Sequence, residues 1–293
     1  MIAFAKDSMI PGLKRLWKSC FDDPDEYIEL YFRHRYRAAN TLVNVSGGEP
    51  VAMLTMLPVT ATSPGLEIPA RYIFAVATHP DYQRKGLGSE LLGRAHDWMK
   101  SQGVGLSVLA PGSAGLFDFY HRHGYKPIFQ LKHVCYSPSL PYAASAERLA
   151  VVPSQLSPLL SMRDRFFGGS RLFVRWDRNA LSYIDKECAL LGGSTLVFKR
   201  GAMAIGYAVC YYTHDGVTAK ELAVEDSDYD AAVAALQYRY CGKYLYVRLR
   251  AEESAHAHGS PKPFGMAKWL EHGLEDAFKS QAGDAPYLSH ALD

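Results

Sequence analysis

The stretch 72–89 (YIFAVATHPDYQRKGLGS) constrains the fold of this chain more than any other. It begins with the apolar run 73–77, whose β-branched and aromatic members are typical of a short strand buried on both faces. Pro80 ends the run, and 83–88 (QRKGLG) leads into a segment with apolar residues at helical spacing. These apolar residues are Leu91, Leu92, Ala95, Trp98 and Met99. The sequence therefore predicts a buried strand, a cationic loop broken by glycines, and a helix.

The loop before this helix has the chemistry of an anion site. Gly86 and Gly88 let the backbone approach a ligand, and the first N–H groups of a helix point outward along a favourable dipole. Arg84 and Lys85 add full positive charges. On the hexapeptide alone, a plain strand-to-helix turn is an equally good interpretation. The loop lacks the Gly-Lys-Ser/Thr ending of a nucleoside-triphosphate site and the third glycine of a dinucleotide fingerprint, so both of those sites are disfavoured.

A second strand and helix follow in register. The segment 105–110 (GLSVLA) predicts a strand, and 114–123 predicts a helix that ends before Gly124 and Tyr125. Upstream patterns give the order helix, helix, hairpin, strand, loop, helix, strand, helix. The upstream predictions are helices over 7–20 and 25–36 and strands over 41–45, 50–60 and 66–77.

Two motifs in this part of the chain resemble those of the GNAT superfamily of acyl-CoA-dependent N-acyltransferases. The first is Gln83-x-x-Gly86-x-Gly88 after an apolar strand, and the second is Phe119-Tyr120-x-x-x-Gly124-Tyr125. The resemblance covers residues 40–136. It implies the mixed-sheet α/β fold of GNAT acyl-CoA N-acyltransferases, with acetyl-CoA as co-substrate. The residues that it implies for cofactor binding are Val76, Ala77, Thr78, Gln83, Arg84, Lys85, Gly86, Leu87, Gly88 and Ser89.

Direct acyl transfer from a thioester to an amine needs a polarised carbonyl, an acid for the departing thiolate and a base for the ammonium. The resemblance implies that backbone N–H groups of 76–78 polarise the carbonyl and that Tyr120 is the acid. The alternative is that Tyr120 only packs on the sheet. The segment 71–78 contains no carboxylate. His79 is one candidate base, although a solvated loop residue fits its position better. The other, which we prefer to His79, is the terminal α-carboxylate of Asp293, because similar enzymes insert their carboxy terminus beside the tyrosine. The alternative is a carboxy-terminal strand that merely packs.

The segment 25–36 is unusually aromatic, and the corresponding segment of the superfamily helps to wall the acceptor site. Glu26, Tyr31 and Phe32 are therefore candidate substrate residues. The favoured alternative is that the two rings pack on the sheet and that Glu26 is solvated near the helix start.

With 293 residues, the chain is expected to hold two domains. The proline-rich stretch 137–142 (SPSLPY) suggests a boundary near residue 145. We predict a catalytic domain over 1–145, a degenerate GNAT-like domain over 146–260, and a carboxy-terminal tail over 261–293. The tail is apolar almost to its last residue, so we expect it to dock toward the active site rather than hang free.

The second domain echoes the element order of the first without its phosphate chemistry. Predicted helices over 156–167, 179–190 and 228–240 alternate with strands over 195–200, 206–213, 220–224 and 244–249. The loop after the strand 220–224 is acidic (EDSD) and lacks Gly-x-Gly, so it would repel a pyrophosphate. This organisation resembles tandem GNAT proteins of the enhanced-intracellular-survival type. Their sterol-carrier-like third domain has no counterpart here, which leaves the acceptor and the oligomeric state open.

The charge balance gives no reason to expect a polyanionic partner. Lys and Arg number 32 against 30 Asp and Glu, for a net charge of +2. Such a chain has no global field for nucleic acid or an anionic membrane. No uncharged apolar segment reaches the roughly 18 residues that a membrane span needs. We expect a cytoplasmic protein with no nucleic-acid or membrane partner, and self-association stays open.

Cysteine and histidine spacing predicts no metal site. The five cysteines are odd in number and never spaced C-x-x-C, which is typical of free thiols. The pairs His121/His123 and His256/His258 lack further ligands at zinc spacing.

These observations predict an acetyl-CoA-dependent N-acetyltransferase that acts on a primary amine of a small molecule or a lysine side chain. The alternative is a non-catalytic acyl-CoA-binding or regulatory protein, which the missing carboxylate in 71–78 favours. An aminoacyl-transfer enzyme on a tandem scaffold is a third interpretation. The intact loop 83–88 argues against it.

Overall fold

The computed structural model describes residues 1–138, 149–154, 156–252 and 259–288. The described helices are α1 Ile10–Cys20, α2 Asp25–His34, α3 Leu87–Ser101, α4 Ala114–Arg122, α5 Leu156–Phe167, α6 Arg178–Leu190, α7 Tyr229–Arg239 and α8 Leu274–Lys279. The described strands are β1 Ile2–Phe4, β2 Thr41–Ser46, β3 Glu49–Ser63, β4 Leu66–Thr78, β5 Leu106–Leu109, β6 Lys126–Tyr136, β7 Ala150–Pro153, β8 Phe173–Arg175, β9 Ser194–Arg200, β10 Met203–Tyr212, β11 Gly216–Ala223, β12 Tyr244–Arg250 and β13 Lys262–Trp269. The predicted mixed α/β class is confirmed.

One continuous sheet runs through both halves of the chain. Its strand order is β1-β2-β3-β4-β5-β13-β6-β12-β11-β10-β9-β7, and β8 pairs with β3 beside this path. Most neighbours are antiparallel, whereas β4 with β5 and β11 with β12 are parallel. The first unit, β1–β6 with α1–α4, joins the second unit, β7 and β9–β12 with α5–α7, through the antiparallel pair β6 and β12.

The carboxy-terminal segment supplies a central strand to the first unit. β13 lies between β5 and β6 and is antiparallel to both, with Lys268 opposite Ser107 and Ala267 opposite Lys126. The sequence predicted a docked tail but not this strand, because Pro263 and Gly265 interrupt the apolar pattern. The division at 145 and 260 stays a prediction, since 139–148 and 253–258 lie outside the described residues.

The two units share a hydrophobic core on one face of the sheet. Helices α1 and α2 bury Trp17 and Tyr31 against this face, and α5, α6 and β8 cover its continuation. Tyr72 of β4 contacts Trp176, which precedes α6, with ring centroids 5.2 Å apart. The opposite face carries α3 on the first unit and α7 on the second, each over its own cluster of buried residues. Burial of apolar surface therefore couples the two units.

Candidate active site

The sheet opens at β4. Ala75 has φ +49, a conformation that side-chain-bearing residues rarely adopt. Because β3 pairs Thr55 with Phe74 and Met53 with Ala77, two residues of β4 face one of β3, which makes a β-bulge. On the other edge, β5 pairs with β4 only over Ala70–Tyr72. Residues 73–78 thus have no strand partner on that side among the described residues.

The opening faces the start of α3. Gly86 precedes the helix with φ +84, and Arg84 has φ +60, so two left-handed residues turn the chain within three positions. The first N–H groups of α3 have no partner within their own helix and point out of it. The Arg84 side chain is exposed and forms no hydrogen bond or ion pair with any residue that the structure describes. Positive charge and free donors therefore converge at this end.

A cavity of about 680 Å³ connects the helix start to the splayed strand. The predicted residues that line it are Val76, Thr78, Gln83, Arg84, Gly86, Leu87, Gly88, Ser89 and Tyr120. The structure adds Tyr82, Leu116, Phe119, Arg122 and His123 to the lining. Ala77 is buried and does not line the cavity, and Lys85 turns away to donate from Nζ to the Asp81 carbonyl at 2.8 Å. The roles of all these residues in cofactor binding stay predictions.

Tyr120 lies in this cavity on α4. Its side chain is 6% exposed, and its ring contacts Phe119 and Tyr125. The hydroxyl forms no hydrogen bond with any described residue. Burial raises the pKa of Tyr120 to about 12, so the phenol keeps its proton at neutral pH. A buried, protonated and unengaged hydroxyl can donate to a ligand in the cavity.

The cavity wall is tied to β13 through His123. The Ser89 hydroxyl lies 3.0 Å from His123 Nε2, and Lys268 Nζ of β13 donates to the His123 carbonyl at 2.7 Å. Burial, together with the charges of Lys268 and Arg122, lowers the pKa of His123. Sequence reasoning missed this cavity role and weighed His123 only as a metal ligand. The sequence feature that could have indicated this role is its position. His123 lies three residues after Tyr120, which places both side chains on the same face of the predicted helix 114–123.

A buried hydrogen-bond chain continues from the same lysine. Lys268 Nζ lies 3.2 Å from His96 Nδ1, and His96 Nε2 lies 3.0 Å from the Tyr125 hydroxyl. Burial, with the nearby Lys268 charge, lowers the pKa of His96 to about 3, so this imidazole is neutral. Because Lys268 only donates, Nδ1 accepts, and Nε2–H donates toward Tyr125. Tyr125 in turn lies 2.6 Å from Ser107 Oγ. The chain fixes β5, α3 and β13 against one another.

The two candidate bases differ in what the structure says of them. His79 caps the short turn Pro80–Tyr82, where its Nδ1 accepts from the Asp81 N–H at 3.3 Å. Its side chain is 39% exposed, and it does not line the cavity. Asp293 lies outside the described residues. The last described residue, Leu288, is buried beside Gly265 of β13.

The candidate substrate residues on α2 do not line the cavity. Tyr31 is 1% exposed and donates to Thr55 Oγ1 at 3.3 Å, and burial raises its pKa to about 12. Phe32 packs against Trp17 in the same core. Glu26 is exposed at the helix start. Their role in substrate binding stays a prediction.

No group of three or more His, Cys, Asp or Glu side chains among the described residues could hold a metal ion. No helix in the same residues is long and apolar enough to cross a membrane.

The comparisons with known proteins agree with this geometry. Residues 2–128 match the family model of the acetyltransferase (GNAT) domain. The match assigns a GNAT domain to this segment, which makes up most of the first unit. No curated protein sequence matches the chain significantly.

Solved structures resemble the chain well beyond this GNAT domain. A conserved protein from Enterococcus faecalis V583 superposes with a TM-score of 0.77 at 15% identity, over 92% of this chain and 72% of that one. A GCN5-related N-acetyltransferase from Anabaena variabilis gives 0.75 at 14% identity, over 92% and 73%. Eis1 from Mycobacterium abscessus gives 0.69 at 14% identity, over 94% and 75%. At these identities the similarity shows the fold alone, which this chain shares with all three structures.

The left-handed turn at Gly86 gives a direct test of the predicted anion site. Alanine there meets nothing within 4 Å but must adopt φ +84, at a cost of roughly 1–2 kcal/mol. We expect Gly86→Ala to weaken acetyl-CoA binding about tenfold by calorimetry, because the loop relaxes away from this conformation. Gly93→Ala is the matched control, since Gly93 lies within α3 with ordinary helical geometry and open space around it. It should bind normally and gain about 0.5–1 kcal/mol of stability. Wild-type affinity in Gly86→Ala would contradict the assignment.

Proposed function

We propose that this protein is an acetyl-CoA-dependent N-acetyltransferase that transfers the acetyl group directly to a primary amine of a small molecule or a lysine side chain. The observation that carries the proposal is the opening of the sheet beside β4. There Val76, next to the strained Ala75, borders one cavity together with the start of α3 and Tyr120. Acyl transfer from acetyl-CoA needs all three: hydrogen-bond donors for the thioester carbonyl, a site for the coenzyme's phosphates and an acid for the departing sulfur.

The residues present suit acetyl-CoA. The start of α3, from Leu87 to Ser89, offers outward N–H groups, and Arg84 adds a charge without an ionic partner among the described residues. A cavity of about 680 Å³ is within the range for cofactor sites. We propose that the pyrophosphate binds at this helix start and that the thioester lies beside Val76 and Tyr120.

The chemistry follows from these positions. The amine nitrogen attacks the thioester carbonyl, the C–N bond forms, and the C–S bond breaks. Tyr120 gives its proton to the departing sulfur, which it can do because burial keeps its phenol protonated. The backbone at 76–78, free of β5, faces the carbonyl oxygen. A base removes the extra proton from the nitrogen.

For the base, we prefer the terminal α-carboxylate of Asp293 to His79. The His79 side chain is 39% exposed and accepts a hydrogen bond from the Asp81 N–H, and His79 does not line the cavity. Leu288, five residues before the terminus, is buried beside Gly265, whose own close neighbours include the carbonyl of Leu109 at the end of β5. That position is near the point where β4 and β5 separate.

A second candidate is a non-catalytic acyl-CoA-binding or regulatory protein. One observation favours it: the splayed segment 73–78 and the rest of the cavity lining contain no carboxylate. Such a protein would bind acetyl-CoA as tightly as an enzyme and release no thiol with any amine. The first experiment therefore measures binding and turnover on one preparation.

The test is amine-dependent release of free CoA thiol from acetyl-CoA, with polyamines, aminoglycosides and lysine peptides as acceptors. With an accepted amine, Tyr120→Phe should lower kcat about 100-fold or more, because it removes the acid without changing the ring. Tyr212→Phe, at an exposed tyrosine outside the cavity, is the control and should match wild type. Tight binding without thiol release from any acceptor would favour the regulatory interpretation. A fully active Tyr120→Phe would refute the role of the phenol.

The terminal carboxylate is tested by one added residue. A glycine after Asp293 moves the α-carboxylate by one residue, whereas Asp293→Asn removes only the side-chain carboxylate. If the α-carboxylate is the base, the extension should lower kcat about 100-fold or more, and Asp293→Asn and His79→Gln should stay near wild type. Loss of activity in His79→Gln with normal activity in the extended chain would assign the base to His79 instead.

A further inference from the structure

The second unit repeats the opening of the first. β11 and β12 are parallel, and they pair only over Gly216–Ala219 and Tyr244–Val247. Beyond these residues β11 continues to Ala223 beside β10, and β12 continues to Arg250 beside β6. The two strands therefore diverge, as β4 and β5 do in the first unit. The loop that follows β11 is acidic and does not suit a phosphate.

The chain's own tail occupies this opening. Asp284 accepts from Arg250 Nη1 of β12 at 2.8 Å, and the Ala285 N–H donates to Glu252 at 3.0 Å. Tyr287 reaches β11, where its hydroxyl donates to Glu221 Oε2 at 3.0 Å. The residues 284–288 thus contact both strands that border the opening.

Glu221 is the centre of a fully buried network. Arg163 of α5 pairs with its Oε1 at 3.0 Å, and Tyr207 of β10 donates to the same oxygen at 2.6 Å. Arg163, Glu221 and both tyrosines are each less than 5% exposed. A buried carboxylate with a paired cation and two hydroxyl donors holds one geometry. Tyr287 is the partner that comes from the tail.

The same tail segment extends to the first unit. Its backbone runs parallel to 170–174, with Val174 donating to the Tyr287 carbonyl at 2.9 Å and Tyr287 donating to Leu172 at 2.7 Å. The next residue, Leu288, is buried beside Gly265 of β13, which pairs with β6 and β5 in the first unit. The contact of Tyr287 with the second unit's opening and the contact of Leu288 with the first unit's sheet are therefore adjacent in sequence.

We propose that the second unit's splayed sheet is a docking site for the segment 284–288 and that Tyr287, held by Glu221 and Arg163, positions the carboxy terminus for the reaction in the first unit. The positioning role rests on the proposed function, whereas the docking does not. In this arrangement the second unit holds no acyl donor. Its contribution to acyl transfer is to hold the segment 284–288 in place, and this sets the point from which the last residues of the chain extend.

The experiment compares Tyr287→Phe with Tyr207→Phe in the full chain. Each variant removes one hydroxyl from the same buried carboxylate, but only the first releases the tail. Amide hydrogen exchange over 172–174 and 284–288 should be about tenfold faster or more in Tyr287→Phe and near wild type in Tyr207→Phe. With an accepted amine, Tyr287→Phe should lower kcat about tenfold and leave the KM for acetyl-CoA within twofold.

The outcomes separate the two parts of the proposal. Equal exchange in the two variants, or unchanged exchange in Tyr287→Phe, would overturn the docking. Faster tail exchange with a wild-type kcat would overturn the positioning role. A wild-type protein without turnover would remove the proposed function and the positioning role together, and the exchange comparison would still decide the docking.

Discussion

The bulge at Ala75 is the constraint on which the site depends. It holds a residue with a β-carbon at φ +49, a strain of roughly 1–2 kcal/mol that the buried surroundings must sustain. As a result, β4 separates from β5 after Tyr72, and the backbone groups on that edge of β4 have no strand partner there among the described residues. Exposed backbone in a sheet interior is unstable unless a ligand or side chain satisfies it. The start of α3 and Tyr120 border the same space, so one distortion opens the cavity in which we propose that acyl transfer takes place.

The two units use the same sheet distortion for different purposes. In the first unit, the opening borders the cationic, glycine-rich loop before α3. In the second, Asp228 of the acidic loop is paired with Arg200, and the tail fills the opening. The carboxy-terminal segment also supplies β13 at the centre of the first sheet, and Lys268 of that strand supports the cavity wall at His123. Both units therefore depend on the carboxy-terminal segment for part of their structure.

Local sequence signals made the residues of the candidate site predictable. Features that depend on strand pairing between distant parts of the chain could not be predicted in the same way. The strand, loop and helix of 72–89 follow from an apolar run, Pro80 and Gly86, all within one short stretch, and most elements formed close to their predicted bounds. β13 was missed because a strand's neighbours are not encoded in its own pattern, and its contact between Lys268 and His123 spans 145 positions. Tyr31 illustrates a different limit. An aromatic helix face has the same spacing whether it borders a substrate or, as the structure places this residue, packs in the core.

The most direct test of the account is amide hydrogen exchange of the intact protein with and without coenzyme A. If the first unit's opening is the acyl-CoA site, the coenzyme should slow exchange over 76–78 and 86–90, the two segments that contribute residues to the cavity lining. The corresponding segment of the second unit, 221–230, should exchange at the same rate with and without it. Protection confined to the second unit, or no protection of 86–90 at saturating coenzyme A, would contradict the central claim that the bulge at Ala75 and the start of α3 form the acyl-CoA site.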